Sequence, residues 1–303
     1  HGDVLNPYPD TRGVHLAALG LLSGAVMISF SGVWVKIAHV TSTSAAFYRV
    51  FFGSIILMMA VLGKGELKPK KTPNIWLVVL CGFFFALDLF FFHIGIRYVG
   101  PGLGTILPNF EVFILAAIGI FFFKEKVRIV FLLSIPMAFV GLFLIVGIHW
   151  GRMDPSYRIG VFSGLATAVC YAGFILSLRK LQSDQAGLSV FYVLLVVSMA
   201  STAFLALEIW RAADTFRIPD LQTLLALAAL GLFSQSIGWI LIANALPKIR
   251  ASLSGLILLL QPALAFIWDV LFFHRPTTWI NWTGVFIVLM AIYLGTVKSS
   301  AYE

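Results

Sequence analysis

Apolar runs long enough to cross a bilayer recur along almost the whole chain, and no other feature restricts its fold as strongly. A helix spans the hydrocarbon with roughly 20 mostly apolar residues. Runs of that kind fall at about 14–37, 43–63, 74–97, 101–123, 128–149, 158–179, 188–210, 220–246, 250–273 and 278–297. The sequence therefore predicts an all-α integral membrane protein with ten transmembrane helices, most of them joined by a few residues and so antiparallel to their neighbours. Composition agrees. Of the 303 residues, 60% are hydrophobic and 11% charged, against about 25% charged in a soluble domain. A core of this size could not hide so much apolar surface from water.

A formal charge of +8 would suit a nucleic-acid binder, but the basic residues sit in short connections between apolar runs, not on a polar domain. Nucleic acid is excluded as a partner, and the lipid bilayer takes its place. An even number of spans puts both ends on one side. Thirteen Lys and Arg lie on that side and seven on the other, with Arg49 inside a span. The positive-inside bias then places both termini in the cytoplasm of an inner or plasma membrane. The strongest contribution is the GKGELKPKK turn, 63–71. The chain opens on His1-Gly2 without a cleavable signal pattern, and the first span is expected to act as the insertion signal. Cys81 and Cys170 both fall within apolar runs, where they read as packing residues; no metal site, disulfide framework or cofactor is expected.

The halves of the chain carry matching marks. Gly20-Leu-Leu-Ser-Gly24 returns as Gly160-Val-Phe-Ser-Gly164, 140 residues on. Small residues four apart let helices approach closely in lipid; by itself the pattern means packing, but its return in the corresponding span marks a repeat. At an offset of 150, Gly102-Leu-Gly104 lies over Ser252-Leu-Ser254, Glu111 over Gln261, and Phe122-Phe123 over Phe272-Phe273. The expected division is a cytoplasmic segment (1–13), a first repeat (14–150), a second repeat (151–298) and a cytoplasmic tail (299–303). Each repeat holds five spans, an odd number, so the second enters the membrane inverted. Inverted repeats are a signature of secondary transporters, in which two near-equivalent halves exchange conformations around a central site.

These residues resemble the drug/metabolite transporter superfamily in its ten-span form with two EamA-type repeats. The marks are Tyr48-Arg49 early in span 2, Gly-Pro-Gly-Leu-Gly at 100–104, Phe-Phe-Phe-Lys-Glu-Lys at 121–126, Ala-Ser-Leu-Ser-Gly at 251–255, and Gln261-Pro262. The chain departs from the pattern in carrying Val112 where a mid-span proline would fall and Arg275 where a glutamate would fall. The resemblance implies a transporter of a small-molecule substrate working by alternating access, and a cavity lined by spans 1, 3, 4, 6, 8 and 9. It leaves the cargo open, since members move amino acids and other metabolites, and some move nucleotide sugars or lipid-linked sugars.

Ionisable groups at membrane depth are expensive and mark function by default. Arg49, Asp88, His93 and Glu111 are the four that stand out. Asp88 and Glu111 flank the turn between spans 3 and 4 at similar separations, so both lie roughly 15 Å below it and can share one cavity. The candidate substrate-binding set is Glu111, Gln261, Asn109, Trp239, Gln235 and Asn244. Glu111, Asp88 and His93 are the candidate proton-coupling groups, though a lone histidine near a helix end also reads as structural. Arg49 and Asp88 are expected to form a structural ion pair between spans 2 and 3, because an Arg in the bilayer needs a partner. Pro108 and Pro262 are expected to interrupt spans 4 and 9 beside Glu111 and Gln261, freeing backbone groups of the kind that line cavities. Asp269 reads as a gate or helix contact. Catalytic residues are not assigned: HExxH, Walker-type and GxSxG motifs are all missing, and an intramembrane enzyme using Asp88, Glu111 and Asp269 leaves the inverted repeat unexplained. An acid pair beside a base suits an amino-acid-like zwitterion.

Overall fold

A backbone surrounded by lipid must satisfy its own hydrogen bonds, which favours helices over every open structure. The computed structural model describes residues 11–67, 74–146, 155–184 and 189–297, and among them it contains helices and no strands. Eight helices have membrane length: Gly13–Ile37 (span 1), Ser42–Gly63 (span 2), Ile75–Phe92 (span 3), Tyr157–Ser183 (span 6), Val190–Arg211 (span 7), Leu221–Lys248 (span 8), Ala251–Phe273 (span 9) and Trp279–Thr296 (span 10). Two shorter apolar helices, Leu107–Phe121 (span 4) and Ile129–Ile145 (span 5), bring the total among the described residues to ten. Most of the basic turn after span 2, from Lys68 onward, lies outside the described residues. Lipid takes the outward faces: Phe121, Phe122, Phe162 and Phe286 are exposed, and Trp76, Trp210 and Trp279 stand exposed at span ends, where indole rings suit the membrane interface.

Spans 3 and 4 correct one sequence expectation. A break was expected near residues 98–100, yet helical hydrogen bonding is continuous over Ile75–Ile106. The chain nevertheless folds back. A Cβ on Gly164 would lie 2.6 Å from Leu107 Cβ, and a Cβ on Gly95 would lie 3.5 Å from the Gly164 nitrogen. Residues 95 and 107 thus meet one residue of span 6, whereas a straight helix would hold them about 18 Å apart.

The packing obeys the exchange of spans 1–5 with spans 6–10. Spans 2 and 7, 4 and 9, and 5 and 10 pack as self-equivalent pairs, while span 3 against span 6 corresponds to span 8 against span 1. The glycines sit where this exchange brings backbones together. A Cβ on Gly24 would fall 2.8 Å from the Gly238 carbonyl oxygen where span 1 meets span 8, as Gly95 and Gly164 meet between spans 3 and 6, and Gly141 and Gly284 would each strike the other's carbonyl oxygen at 2.7 and 2.5 Å.

The helix ends repeat the symmetry. Spans 2 and 7 stop on left-handed residues, Gly65 (φ 67°) and Ala213 (φ 51°), and spans 4 and 9 on Lys124 (φ 53°) and His274 (φ 50°). Glu66 N–H donates to Val61 O at 3.0 Å and Asp214 N–H to Ile209 O at 3.0 Å. Spans 2 and 7 also begin alike, with the Thr41 hydroxyl accepting from Ser44 N and the Ser189 hydroxyl from Phe191 N. Each capping hydroxyl donates across the pair to the carboxylate that follows the other span: Thr41 to Asp214 at 2.6 Å, and Ser189 to Glu66. Two equivalent clasps therefore close the two ends of the span 2–span 7 pair. On the same face as the Thr41 clasp, His39 Nδ1 lies 2.9 Å from Asp220 Oδ2. That bond, helped by the Thr223 N–H and hydroxyl, holds the Asp220 carboxyl down to about 2.

Candidate functional site

Prolines set the helix breaks from which the site is built. Pro262 has no N–H and its ring crowds the carbonyl four residues back, Leu258. Span 9 is accordingly split at Leu259 into Ala251–Leu258 and Leu260–Phe273. Pro108 sits in a 3-10 turn, Leu107–Phe110, from which the helix Glu111–Phe121 starts. The two breaks occupy corresponding positions in the repeats and place Glu111 and Gln261 in the first turn of the second segment of each span. Span 8 contributes a third irregularity, a π-helical stretch Leu230–Gly238 that ends at Trp239. Such stretches gather at functional sites because they turn side chains out of the regular helical register. Span 1 is also divided, into Thr11–Ser29 and Ser31–Ile37, with Phe30 stacked at 4.3 Å on Trp268 of span 9.

These elements enclose a cavity of ≈ 770 Å³. Its walls include Ser29, Ser31 and Lys36 of span 1, Arg49 of span 2, Phe85 and Asp88 of span 3, Pro108, Asn109 and Glu111 of span 4, Thr167 and Tyr171 of span 6, Trp239 of span 8, and Gln261, Pro262 and Asp269 of span 9. Spans 2 and 5 join the six spans that the family resemblance implied, the latter through Leu142 and Ile145. The cavity occupies only one half of the molecule. In span 1 it is lined from Ile28 onward and in span 9 from Leu258 onward, and it ends beside Lys36, Asp269 and Arg275. It therefore opens on the side opposite to the one where span 1 begins and span 10 ends. At that mouth Asp269 lies between two cations, Lys36 Nζ at 2.6 Å and Arg275 Nη1 at 3.6 Å.

At the opposite end of the molecule a carboxylate ties span 4 to span 9. Glu125, just past span 4, accepts from Ala251 N at 2.8 Å, Ser252 N at 3.3 Å and the Ser252 hydroxyl at 2.6 Å, with Arg179 Nη1 at 3.9 Å. It thus caps the start of span 9, whose own N-cap, Arg250, supplies no side-chain cap. A carboxylate at a helix N-terminus satisfies otherwise orphaned N–H groups and opposes the helix dipole.

Glu111, Gln261, Asn109 and Trp239 line the cavity together with Asp88 and Arg49. Gln235 is buried behind Arg49, bonded to its Nε at 3.2 Å and to Ser198 Oγ at 3.0 Å. Asn244 is exposed on span 8, its amide donating to Ile240 O at 2.9 Å, and it is not among the residues that line the cavity. The His93 side chain lies outside the described residues. Arg49 and Asp88 act on each other's charge but make no direct bond among the described residues. Gln235 holds the guanidinium edge, and Arg49 Cζ stands 5.8 Å from the Phe85 ring centroid. Sequence reasoning missed Tyr171, although it corresponds to Ser31 at the offset of 140 that joins spans 1 and 6, and both residues line the cavity.

Four buried polar atoms of the lining side chains make no hydrogen bond of good geometry among the described residues: Glu111 Oε2, Tyr171 Oη, Trp239 Nε1 and Gln261 Nε2, with Tyr171 and Gln261 close enough to act on one another. Buried polar groups are almost always paired, and those that are not call for a reason. All four residues belong to the wall of one cavity, which makes it the candidate site for a polar ligand.

Comparison with known proteins gives this site a context. The sequence profile described as the EamA-like transporter family matches twice, over residues 15–147 and 158–297. An uncharacterized transporter of Synechocystis sp. is 25% identical over 232 residues, 75% of this chain and 68% of that protein. The uncharacterized transporter YxxF of Bacillus subtilis is 21% identical over 281 residues, 88% of this chain and 85% of its own. One solved crystal structure superposes with a TM-score of 0.80 at 16% identity, covering 93% of this chain and 98% of the other, a likeness of fold.

Proposed function

This chain belongs to the EamA-like transporter family, and from that premise we propose that it is a secondary transporter moving a small amino-acid-like metabolite by alternating access, coupled to protons through Glu111. Family and relatives point to transport and away from catalysis, and the apolar helices make the protein an integral membrane one. The observation that carries the finer reading is the set of four polar atoms without a hydrogen bond of good geometry in the wall of one cavity.

A zwitterion of modest size matches that lining. Glu111 and Asp88 offer acceptors for an ammonium group, Tyr171, Trp239 and Gln261 offer donors, and Phe85 with Trp239 supplies apolar wall. Glu111 is 2% exposed and one of its oxygens has no donor among the described residues. Such a carboxyl can be satisfied in two ways, by a proton or by the ammonium group of a solute. Competition between the two at one carboxyl links solute movement to proton movement. The inverted repeat supports the alternation of access, since the exchange that relates the two halves would close the present mouth and open the end now capped by Glu125. An inner or plasma membrane with both termini cytoplasmic is the orientation that the basic asymmetry favours.

The test is transport in proteoliposomes. Glu111→Gln keeps the shape and removes the titratable oxygen. We expect accumulation driven by a pH gradient to be lost, while solute counterflow at equal pH is retained. Transport by this variant with an unchanged pH dependence would remove Glu111 as the coupling group and leave it a structural residue.

A further inference from the structure

Arg49 is an unusual cation for a membrane interior because its anchor is neutral. Its Nε donates to Gln235 Oε1 at 3.2 Å, and the Gln235 amide nitrogen donates onward to Ser198 Oγ at 3.0 Å. Gln235 and Ser198 are both buried, and Gln235 has little freedom to move. It belongs to the π-helical stretch of span 8, and it packs so tightly on span 2 that a Cβ on Gly53 would fall 2.4 Å from its Cγ. Gly53 lies one helical turn beyond Arg49 on the same face, so span 2 holds both the guanidinium and the space that seats its anchor. The ring of Phe85 flanks the guanidinium at 5.8 Å.

This arrangement fixes one edge of the guanidinium, while Asp88 acts on its charge from nearby without bonding it. The Nη nitrogens have no hydrogen-bond partner among the described residues, and Arg49 is a wall residue of the cavity. A carboxylate anchor in direct contact would have paired the charge, whereas an amide leaves the Nη donors available to a ligand. A guanidinium with a fixed Nε edge presents two parallel donors, the geometry that matches a planar oxyanion. Asp88 and Glu111 line the same cavity, so a ligand carrying two negative charges meets repulsion there that a single carboxylate does not.

We propose that Arg49 is the specificity-determining residue of the cavity, binding a carboxylate of the transported solute, and that Gln235 and Ser198 are positioning residues that aim its guanidinium. This rests on the transport reading above and adds to it the anionic half of the substrate and the residues that select it. The ammonium half falls to the carboxylates of spans 3 and 4.

Counterflow in proteoliposomes tests it with matched solutes: L-alanine and L-phenylalanine, their decarboxylated counterparts ethylamine and 2-phenylethylamine, and O-phosphoethanolamine as the phosphate analogue. The wild type is expected to exchange an amino acid and to discriminate against its amine and against the phosphate ester. Arg49→Lys keeps the charge and loses the fork, so KM for the carboxylate solute should rise about tenfold, with the maximal rate largely retained. Gln235→Leu should give a smaller rise in KM, and Gln235→Glu a larger one, because it places a contact anion on Arg49. In all three the preference for the amino acid over its amine should shrink, which a merely structural role would not cause. Folding is checked by size-exclusion profile and melting temperature, and Gln235→Leu serves where Arg49→Lys fails to fold. Unchanged KM and unchanged amino-acid preference in folded variants overturn the proposal while transport stands. Equal exchange of amines or of the phosphate ester by the wild type also overturns it, and exchange of none of the solutes by the wild type sinks the transport reading with it.

Discussion

Alanine at a left-handed position is a small defect, and Ala213 is one. At φ 51° its methyl group crowds the backbone at a cost of roughly 1–2 kcal/mol, and it has no polar side chain to offset this. Gly65 occupies the equivalent position after span 2 at φ 67°, where no such cost arises. The repeat therefore contains its own control. Ala213→Gly is expected to stabilise the protein by about 0.5–1 kcal/mol once the extra freedom of glycine in the unfolded chain is subtracted, and Gly65→Ala to destabilise it by about 1–2 kcal/mol. Thermal unfolding in detergent measures both, and a loss of stability in Ala213→Gly would refute the assignment of strain. Single residues are also where sequence reading fell short. Depth along a helix could be counted from the sequence, but direction around it could not be counted so well. Asn244 has a suitable depth, yet nine residues from Gln235 amount to about 180° of rotation, and it is exposed and absent from the cavity wall. Arg49 and Asp88 share a depth, but the closer partner of Arg49 comes from span 8, through a contact that Gly53 makes possible.

Elements were far more legible than their side chains. The apolar runs marked all ten spans because a bilayer imposes length and polarity on every one of them, and the glycine and phenylalanine matches marked the repeat. The pairing of spans 2 and 7 left no such trace. Its clasps join Thr41 to Asp214 and Ser189 to Glu66, and both partners sit in turns, where hydroxyls and carboxylates are common for local reasons. Only the fold brings each hydroxyl to the carboxylate of the other repeat. Since each clasp bonds a neutral donor to a charged acceptor, removing one should cost about 1–2 kcal/mol. Thr41→Val and Ser189→Ala are expected to lower the melting temperature by similar amounts, and the double variant by nearly their sum, because the clasps lie at opposite ends of the pair. One variant harmless and the other severe would show that the two ends are not equivalent.

Across the whole molecule the symmetry of packing coexists with an asymmetry of access. Elements pair as the two-fold exchange requires, yet the cavity lies in only one half of the molecule, and at the opposite end Glu125 binds the first residues of span 9. The corresponding position at the open end is Arg275, which cannot accept from a helix N-terminus; there the acid is Asp269, bridging Lys36 and Arg275. On the alternating-access reading, the Glu125 cap holds the present state in place, because those bonds must part before span 9 can leave span 4 at that end. A contact shifts a conformational equilibrium only by the amount it differs between the two states. Glu125→Gln keeps the shape but gives up the charge on the N–H groups and opposite Arg179, a loss of about 1–2 kcal/mol from the present state alone. The population should move toward the other state by roughly five- to thirtyfold. Ala265→Cys, a cavity position, reports this through its reaction with a membrane-impermeant thiol reagent added at the open face, against the buried Cys81 and Cys170. In the Glu125→Gln background that labelling should slow severalfold, while Ser254→Cys, buried near the capped end, becomes reactive from the opposite face. If both rates match those in the parent, the Glu125 cap is a static brace of span 9, and the barrier to opening lies in the apolar packing behind it.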